Sequence, residues 1–325
     1  MRTSTRLSLS LMPFLLAPAS AAAQMPTSSG IEQEISAVQP MSRVPAATSA
    51  LDKALAAQDF ERAEQLLADA IARQPTSRQL LTQIASVFMM DRKPLNAAIA
   101  LKKAEALGPL DNPARLQLAL AYIAMRRGEW ARSELERLAL AEPANVTHPY
   151  WLARLDYDAA QYASAIRRLK DVVAQAPEFA RAHDNLGLCY EALNRPDEAI
   201  PHYREAVRLN RRGGDVRSAW PALNLGILLR RRGELEEAET LFREALTHDQ
   251  RFATGYYQLG ALLEQRGRLD EALEALRKAT AAAVDYAEPY YALSRIYRRQ
   301  GRTAEANAAM TSFQRLHDAR RGAAR

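Results

Sequence analysis

The fold of this chain is decided by residues 180–210, which read ARAHDNLGLCYEALNRPDEAIPHYREAVRLN. Apolar and small residues recur at helical spacing twice in this stretch, around Leu186 and Tyr190 and again around Tyr203. Asn194 and Pro196 separate the two runs, and residues of these types interrupt helices. The pattern predicts two short amphipathic helices joined by a tight turn. One such hairpin has too little core to fold alone, so it needs copies to stack against.

Copies of the hairpin follow one another along most of the chain. The small or apolar residue at the crossing point of the first helix is expected at Leu51, Ala85, Ala121, Ala153, Gly187, Gly226, Gly260 and Ser294. Successive positions in this series are 34, 36, 32, 34, 39, 34 and 34 residues apart. A second small residue follows 12 positions later each time, at Ala63, Ala97, Ser133, Ala165, Ala199, Ala238, Ala272 and Ala306. Close helix crossing requires small side chains, so the two registers predict eight stacked hairpins.

Turn residues separate the paired helices. They are predicted at Gly128, Asn194, Gly233, Gly267 and Gly301, where the end of a helix commonly needs a left-handed residue. The interval from Gly187 to Gly226 is longer than the others, which indicates an insertion near 211–218. An insertion of this kind is expected either to loosen the stack or to lengthen the helix that follows.

The Leu186-Gly187-x-x-Tyr190 motif and the later Ala199, Tyr203 and Ala206 resemble the tetratricopeptide repeat. The repeat period of the chain agrees as well, because this family repeats every ~34 residues. The resemblance covers about residues 44–320. It implies an all-α, right-handed superhelical solenoid of about eight helix-turn-helix repeats.

The two ends of the chain differ from the repeats. Arg2 and Arg6 precede an apolar run over 7–16 and small residues over 19–23, which are the three parts of a secretory signal peptide. We predict a signal peptide over 1–23, cleaved after Ala23 or alternatively after Ala21. Residues 24–43 are expected to form a flexible leader, and 321–325 a basic tail. The protein is thus predicted to be exported, periplasmic or secreted, with no membrane span after cleavage.

Charge and motifs argue against nucleic-acid binding and catalysis. The net charge is +6, but arginines are scattered among acidic residues in every repeat, which favours a solvated helix surface over a nucleic-acid partner. No phosphate loop, nucleophile elbow or helical metal motif occurs, so we expect no enzyme, no cofactor and no metal site. His183 and His202 are expected to approach each other across one hairpin as neutral side chains. Cys189 is the single cysteine, and both a buried thiol and a reactive one remain open.

The resemblance implies a concave groove lined by the first helix of each repeat. The position before each Leu-Gly pair holds Asn185, Asn224 and Gln258, with Gln83 upstream. Side-chain amides both donate and accept, so this row is suited to bind the backbone of an extended peptide. It is similar to the asparagine ladder in the repeats of O-linked N-acetylglucosamine transferase. The alternative is that these amides only join neighbouring repeats.

Arginine and aromatic residues are expected along the same groove. The arginines are Arg154, Arg181, Arg230, Arg231, Arg295, Arg298 and Arg299. The aromatic residues expected near the groove, with packing between repeats as the alternative, are Tyr150, Trp151, Tyr157, Trp220, Tyr257 and Tyr291. Arginine binds carboxylates bidentately, so an acidic segment or a free carboxyl terminus is the favoured ligand. The carboxylate clamp of chaperone-binding relatives is excluded, because Thr48 and Asp52 stand where Lys and Asn are needed.

We therefore expect a scaffold or adaptor in the cell envelope that binds a peptide or protein partner in the concave groove. The alternative is an accessory or regulatory subunit of an envelope glycan-synthesis, polysaccharide-export or glycosyltransferase system, with a contact on the convex face. The pattern does not favour one oligomeric state.

Overall fold

The computed structural model describes residues 48–213 and 218–323, so the predicted signal peptide and leader lie outside the described residues. Within these two ranges the chain forms sixteen α-helices and no strand. The helices are α1 Thr48–Ala56, α2 Phe60–Arg73, α3 Arg78–Met90, α4 Pro94–Ala106, α5 Asn112–Ala124, α6 Gly128–Ala141, α7 Thr147–Asp158, α8 Tyr162–Gln175, α9 Ala180–Ala192, α10 Pro196–Arg211, α11 Trp220–Arg232, α12 Leu235–His248, α13 Ala253–Gln265, α14 Leu269–Ala282, α15 Ala287–Arg299 and α16 Thr303–Ala323.

The helices form eight successive hairpins, which confirms the predicted all-α solenoid. Each helix packs on the helix before it and the helix after it. The backbones of first helices in adjacent repeats also approach each other, as α9 approaches α11 and α13 approaches α15. Second helices of adjacent repeats lie farther apart and meet through long side chains, as Arg204 of α10 meets Glu237 of α12. The first helices therefore line the inner, concave side of the stack, and the second helices lie on the outer side.

The third repeat lies two positions earlier in register than the sequence pattern predicted. Ser133 is exposed, whereas Ala131 is fully buried and stands twelve positions after the fully buried Ala119. Ala121 is fully buried too, so the small-residue pattern had two candidates on one helix. The predicted pair Ala121 and Ser133 is wrong. With Ala119 as the crossing position of the third repeat, successive crossing positions are 34 residues apart, except for the longer step from Gly187 to Gly226.

Left-handed residues end the first helices at one fixed position, the seventh after each crossing position. They are Gln58, Arg92, Arg126, Ala160, Asn194, Gly233, Gly267 and Gly301. The predicted turns at Asn194, Gly233, Gly267 and Gly301 are confirmed. Gly128 was wrong because it is the first residue of α6, and Arg126 carries the positive φ of 57° instead.

The extra residues of the sixth repeat are accommodated before α11. Helix α10 has 16 residues, against 14 in α8 and in α12, so the helix that precedes the loop is the longer one. Asn210 closes the loop by donating to the Ser218 carbonyl at 2.8 Å and accepting from the Ser218 amide at 2.9 Å. Helix α11 still contacts α9 and α10, so the stack is continuous here. Residues 214–217 lie outside the described ranges.

The C-terminal helix α16 extends to Ala323, so residues 321–323 of the predicted basic tail continue this helix. In the described part of the chain, no helix combines the length and the apolar character that crossing a bilayer requires.

Candidate functional site

The predicted site residues all lie on first helices. Arg154 lies on α7, Arg181 and Asn185 on α9, Asn224, Arg230 and Arg231 on α11, Tyr257 and Gln258 on α13, and Tyr291 and Arg295 on α15. Since first helices line the concave side, the sequence placed these residues on the correct layer of the stack. Their accessibility and their partners differ from one to the next.

The predicted amide row is buried. Asn185, Asn224 and Gln258 are 3%, 2% and 8% exposed. The Asn185 side chain donates to the Tyr150 hydroxyl at 3.1 Å, and Asn224 donates to the Asp184 carboxylate at 3.1 Å. Both bonds join neighbouring first helices, so these amides hold adjacent repeats together. The structure therefore contains the alternative predicted for this row, which is hydrogen bonding between neighbouring repeats.

The row has a further member that the sequence pattern missed. Gln117 lies two positions before Ala119, is buried, and donates to the Ser86 hydroxyl at 2.8 Å. The sequence pattern missed Gln117 because it took Ala121 as the crossing position of the third repeat. With Ala119 in that role, Gln117 occupies the position equivalent to Asn185. The Gln117 Oε1 and Asn185 Oδ1 atoms are buried and accept no hydrogen bond. Both atoms are enclosed among the packed first helices and are not presented at the surface of the groove.

Most of the predicted groove arginines are engaged within the chain. Arg231 forms an ion pair with Glu191, and the Arg295 Nε atom lies 2.8 Å from Glu264 in a two-point contact. The Arg181 guanidinium stacks over the Phe179 ring at 4.7 Å. Arg154 is 3% exposed and stacks over Trp151 at 5.1 Å, so it is enclosed in the stack and does not line an open groove as expected. These glutamates come from neighbouring repeats, which a sequence pattern does not reveal.

Arg230 differs from the other groove arginines. It is half-buried, and its Nη2 atom donates to the neutral Gln258 Oε1 at 3.2 Å. Its Nε atom is buried without an acceptor, and no carboxylate among the described residues pairs with it. Burial, with the nearby Arg231 charge, lowers the pKa of Arg230. A cation in this setting gains strongly from an incoming carboxylate.

Of the predicted aromatic residues, Tyr150, Trp151 and Trp220 are buried in the stack, whereas Tyr257 and Tyr291 lie on the two first helices that follow the helix of Arg230. The Tyr257 ring packs edge-on against Tyr286 at 5.4 Å. Tyr291 is 46% exposed and lies beside Phe313 at 5.3 Å, with the Arg295 guanidinium 5.8 Å from its ring. We call Arg230, Tyr257, Gln258, Tyr291 and Arg295 the arginine–tyrosine site.

The outer side of the stack offers a different surface. A crevice of about 550 Å³ lies between α12, α13 and α14, and its walls include Arg243, Tyr256 and Glu271. Exposed apolar side chains also occur on second helices, with Leu95 and Ile99 one turn apart on α4 and Trp130 on α6.

The single thiol of the chain lies in the core of the stack. Cys189 is fully buried, and this burial, together with Asp156, raises its pKa to about 12. A protonated, inaccessible thiol is a poor nucleophile, so the structure favours the buried alternative over the reactive one. No group of three or more histidine, cysteine, aspartate or glutamate side chains within 48–213 and 218–323 is arranged to hold a metal ion.

Comparison with known families gives a match to a family model described as tetratricopeptide repeat, over residues 178–251 and 219–285. Comparison with curated proteins gives no match. The family match covers the repeats that carry Gly187, Gly226 and Gly260.

Solved structures share the fold at low sequence identity. A tetratricopeptide repeat protein from Parabacteroides merdae has a TM-score of 0.61 and 15% identity, covering 82% of this chain and 99% of that one. The APC/C hetero-tetramer Cut9–Hcn1 has a TM-score of 0.63 and 15% identity, over 82% of this chain and 52% of that chain. PilW, described as a widely conserved type IV pilus biogenesis factor, has a TM-score of 0.55 and 19% identity, over 62% and 92%. At these identities the likeness concerns the fold.

Proposed function

We propose that this chain is a scaffold or adaptor whose concave groove binds an acidic segment of a partner protein. The support is the match to the tetratricopeptide repeat family model over residues 178–251 and 219–285, together with the fold shared with a tetratricopeptide repeat protein. The observation that carries the proposal is Arg230, a half-buried guanidinium that faces a neutral amide and no carboxylate among the described residues. A carboxylate of the partner would supply the missing counter-ion through charge-assisted hydrogen bonds.

The surroundings of Arg230 fit an extended peptide. Tyr291 offers an exposed ring on α15, and aromatic anchors are frequent at interface centres. Tyr257 lies on α13, between the helices that carry Arg230 and Tyr291, so the three residues follow one another along successive first helices. An extended peptide is able to contact successive repeats in this way.

We place this scaffold in the cell envelope. The support is the basic, apolar and small-residue pattern over 1–23, which is the pattern of an exported protein. PilW, one of the proteins that share the fold, is described as a pilus biogenesis factor. The partner is proposed to be a protein, with no nucleic acid and no cofactor involved.

Crosslinking in the producing cells tests the proposal. A photo-reactive amino acid in place of Tyr291 reports on the groove, and one in place of Trp130 reports on a second helix with similar exposure. We expect a protein captured at position 291, absent at position 130 and lost when Arg230→Gln is added. Capture that is unaffected by Arg230→Gln would remove the basis for the carboxylate contact.

The alternative, an accessory subunit of an envelope glycan-synthesis, polysaccharide-export or glycosyltransferase system, is favoured by the outer surface. Leu95, Ile99 and Trp130 expose apolar area on second helices, and large exposed apolar side chains often mark contacts with folded partners. This function predicts the opposite crosslinking result, with capture at position 130 and none at 291.

A further inference from the structure

Two histidines meet where the two helices of the fifth hairpin pack together. His183 lies on α9 and His202 on α10, and their Nδ1 atoms are 3.5 Å apart. The two rings are tilted by 33°, with their centroids 5.7 Å apart. Neither residue belongs to the arginine–tyrosine site, and the pair has no part in the proposed function.

Local contacts direct a lone pair of His183 towards His202. The His183 Nε2 atom lies 3.1 Å from the Pro177 carbonyl oxygen. A carbonyl oxygen only accepts, so Nε2 carries the hydrogen, and in the neutral ring Nδ1 has the free lone pair. A backbone carbonyl that fixes the imidazole in this way is the usual outer contact of a metal-binding histidine.

His202 is held in a defined orientation as well. Its ring stacks on Tyr190, with an interplanar angle of 5° and a centroid distance of 5.5 Å. Burial, followed by the effects of His183 and Lys170, lowers the pKa of His202. Stacking on Tyr190 fixes the plane of the His202 ring, and the neutral imidazole is the form that binds metals.

We propose that His183 and His202 bind one divalent transition-metal ion between their Nδ1 atoms. In tetrahedral coordination, bonds of about 2.0–2.1 Å put two nitrogen ligands about 3.3–3.4 Å apart. The observed separation of 3.5 Å is within a few tenths of an ångström of that value. Imidazole pairs suit zinc, nickel and copper, whereas magnesium and calcium prefer oxygen ligands.

The charges around the pair limit how the site is completed. Lys170 of α8 lies over the Tyr190 ring at 5.9 Å and opposes a cation. Glu205, one turn after His202 on α10, favours a cation, but both of its oxygens accept from Arg208. The site thus has two protein ligands, with water in the remaining positions. Bound metal would join α9 to α10 and stabilise this hairpin.

Zinc binding by the tag-free full chain tests the proposal. Titration calorimetry with zinc chloride near neutral pH is expected to show one ion per chain, and zinc is expected to raise the melting temperature. His183→Ala and His202→Ala should each weaken zinc binding by at least about tenfold and abolish the thermal shift. His183 is partly exposed, so His183→Ala keeps the test valid even when His202→Ala fails to fold.

His317→Ala is the matched control, because His317 is an exposed histidine of α16 far along the chain. It should bind zinc as the unmodified chain does, and binding should disappear at acidic pH as the imidazoles take up protons. Zinc binding of equal strength in His183→Ala, or no binding by the unmodified chain, would overturn the proposal.

Discussion

Gly187 lies directly against the ring of Tyr203, and a Cβ atom on Gly187 would stand 2.4 Å from the Tyr203 Cε1 atom. Gly226 has the same relationship to Phe242, at 2.6 Å. Where the first helix carries alanine instead, as at Ala153, the equivalent second-helix residue is the smaller Leu169. In these three repeats the side chains at the crossing point compensate each other in size, whereas in the seventh repeat Gly260 lies against the smaller Leu276.

Gly187→Ala is expected to destabilise the protein. Alanine normally stabilises a helix relative to glycine by about 0.5–1 kcal/mol. Here the contact with Tyr203 is far inside van der Waals distance, and overpacking of this kind costs about 1–3 kcal/mol. The clash should dominate and lower the melting temperature, as followed by circular dichroism.

Tyr203→Leu provides the control for this effect. It recreates the alanine–leucine pairing of the fourth repeat, so the double variant should be more stable than the two single effects predict when added. Strict additivity would show that the two side chains are not coupled at the crossing point.

Ala160→Gly is expected to stabilise the protein. Ala160 ends α7 with φ at 57°, a left-handed conformation that costs an L-residue about 1–2 kcal/mol. Glycine avoids that cost but loses more chain entropy on folding, which leaves a net gain of about 0.5–1 kcal/mol. The matched control is Ala159→Gly, where φ is −83° and glycine should destabilise. A lower melting temperature for Ala160→Gly would contradict the assignment of strain.

Asn224 variants test the role of the amide row in holding repeats together. Loss of the bond from Asn224 to the buried Asp184 should cost about 1–3 kcal/mol in Asn224→Ala. Asn224→Asp should be worse, because it puts two carboxyl groups within hydrogen-bond distance of each other. Thermal unfolding of both variants provides the comparison. Unfolding of Asn224→Asp at the temperature of the unmodified chain would contradict this role.

Glu142 connects the end of α6 to the start of α7. Its carboxylate should make the free energy of unfolding depend on pH. His148, then Asn112 and Asn145, donate to its carboxylate and lower its pKa from 4.5 to about 2. Because the folded pKa is the lower one, this contribution is present above pH 4.5 and is lost as the pH falls towards 2.

Glu142→Gln should therefore lower the melting temperature near neutral pH, and the difference from the unmodified chain should shrink below pH 4.5. Glu136→Gln, on the exposed side of the same helix, serves as the control. A difference that stays constant down to pH 2 would rule out this linkage.

The fold was predictable from the sequence because the crossing residues have a local cause. Gly187 and Ala199 lie twelve positions apart in one hairpin, and that spacing is set by helix geometry alone. The error in the third repeat has an equally local cause. Ala119 and Ala121 are both small and both buried, and only Ala119 stands twelve positions before a fully buried residue, Ala131.

The candidate site was less predictable because its energetics depend on contacts between repeats. Arg295 and Arg230 look alike in sequence, yet Glu264 of the preceding repeat pairs with Arg295 and no such partner meets Arg230 among the described residues. The side chains of one repeat do not reveal which acidic residue of the next will reach them.

The most direct test of the groove is to measure how tightly the Arg230→Gln variant binds the partner that is captured at position 291. We predict a loss of at least about tenfold, because a half-buried charged pair is worth more than the ~1.4 kcal/mol that a factor of ten represents. Arg232→Gln, on the exposed end of the same helix, should bind as the unmodified chain does. Equal affinity of the Arg230→Gln variant and the unmodified chain would contradict the proposed carboxylate recognition.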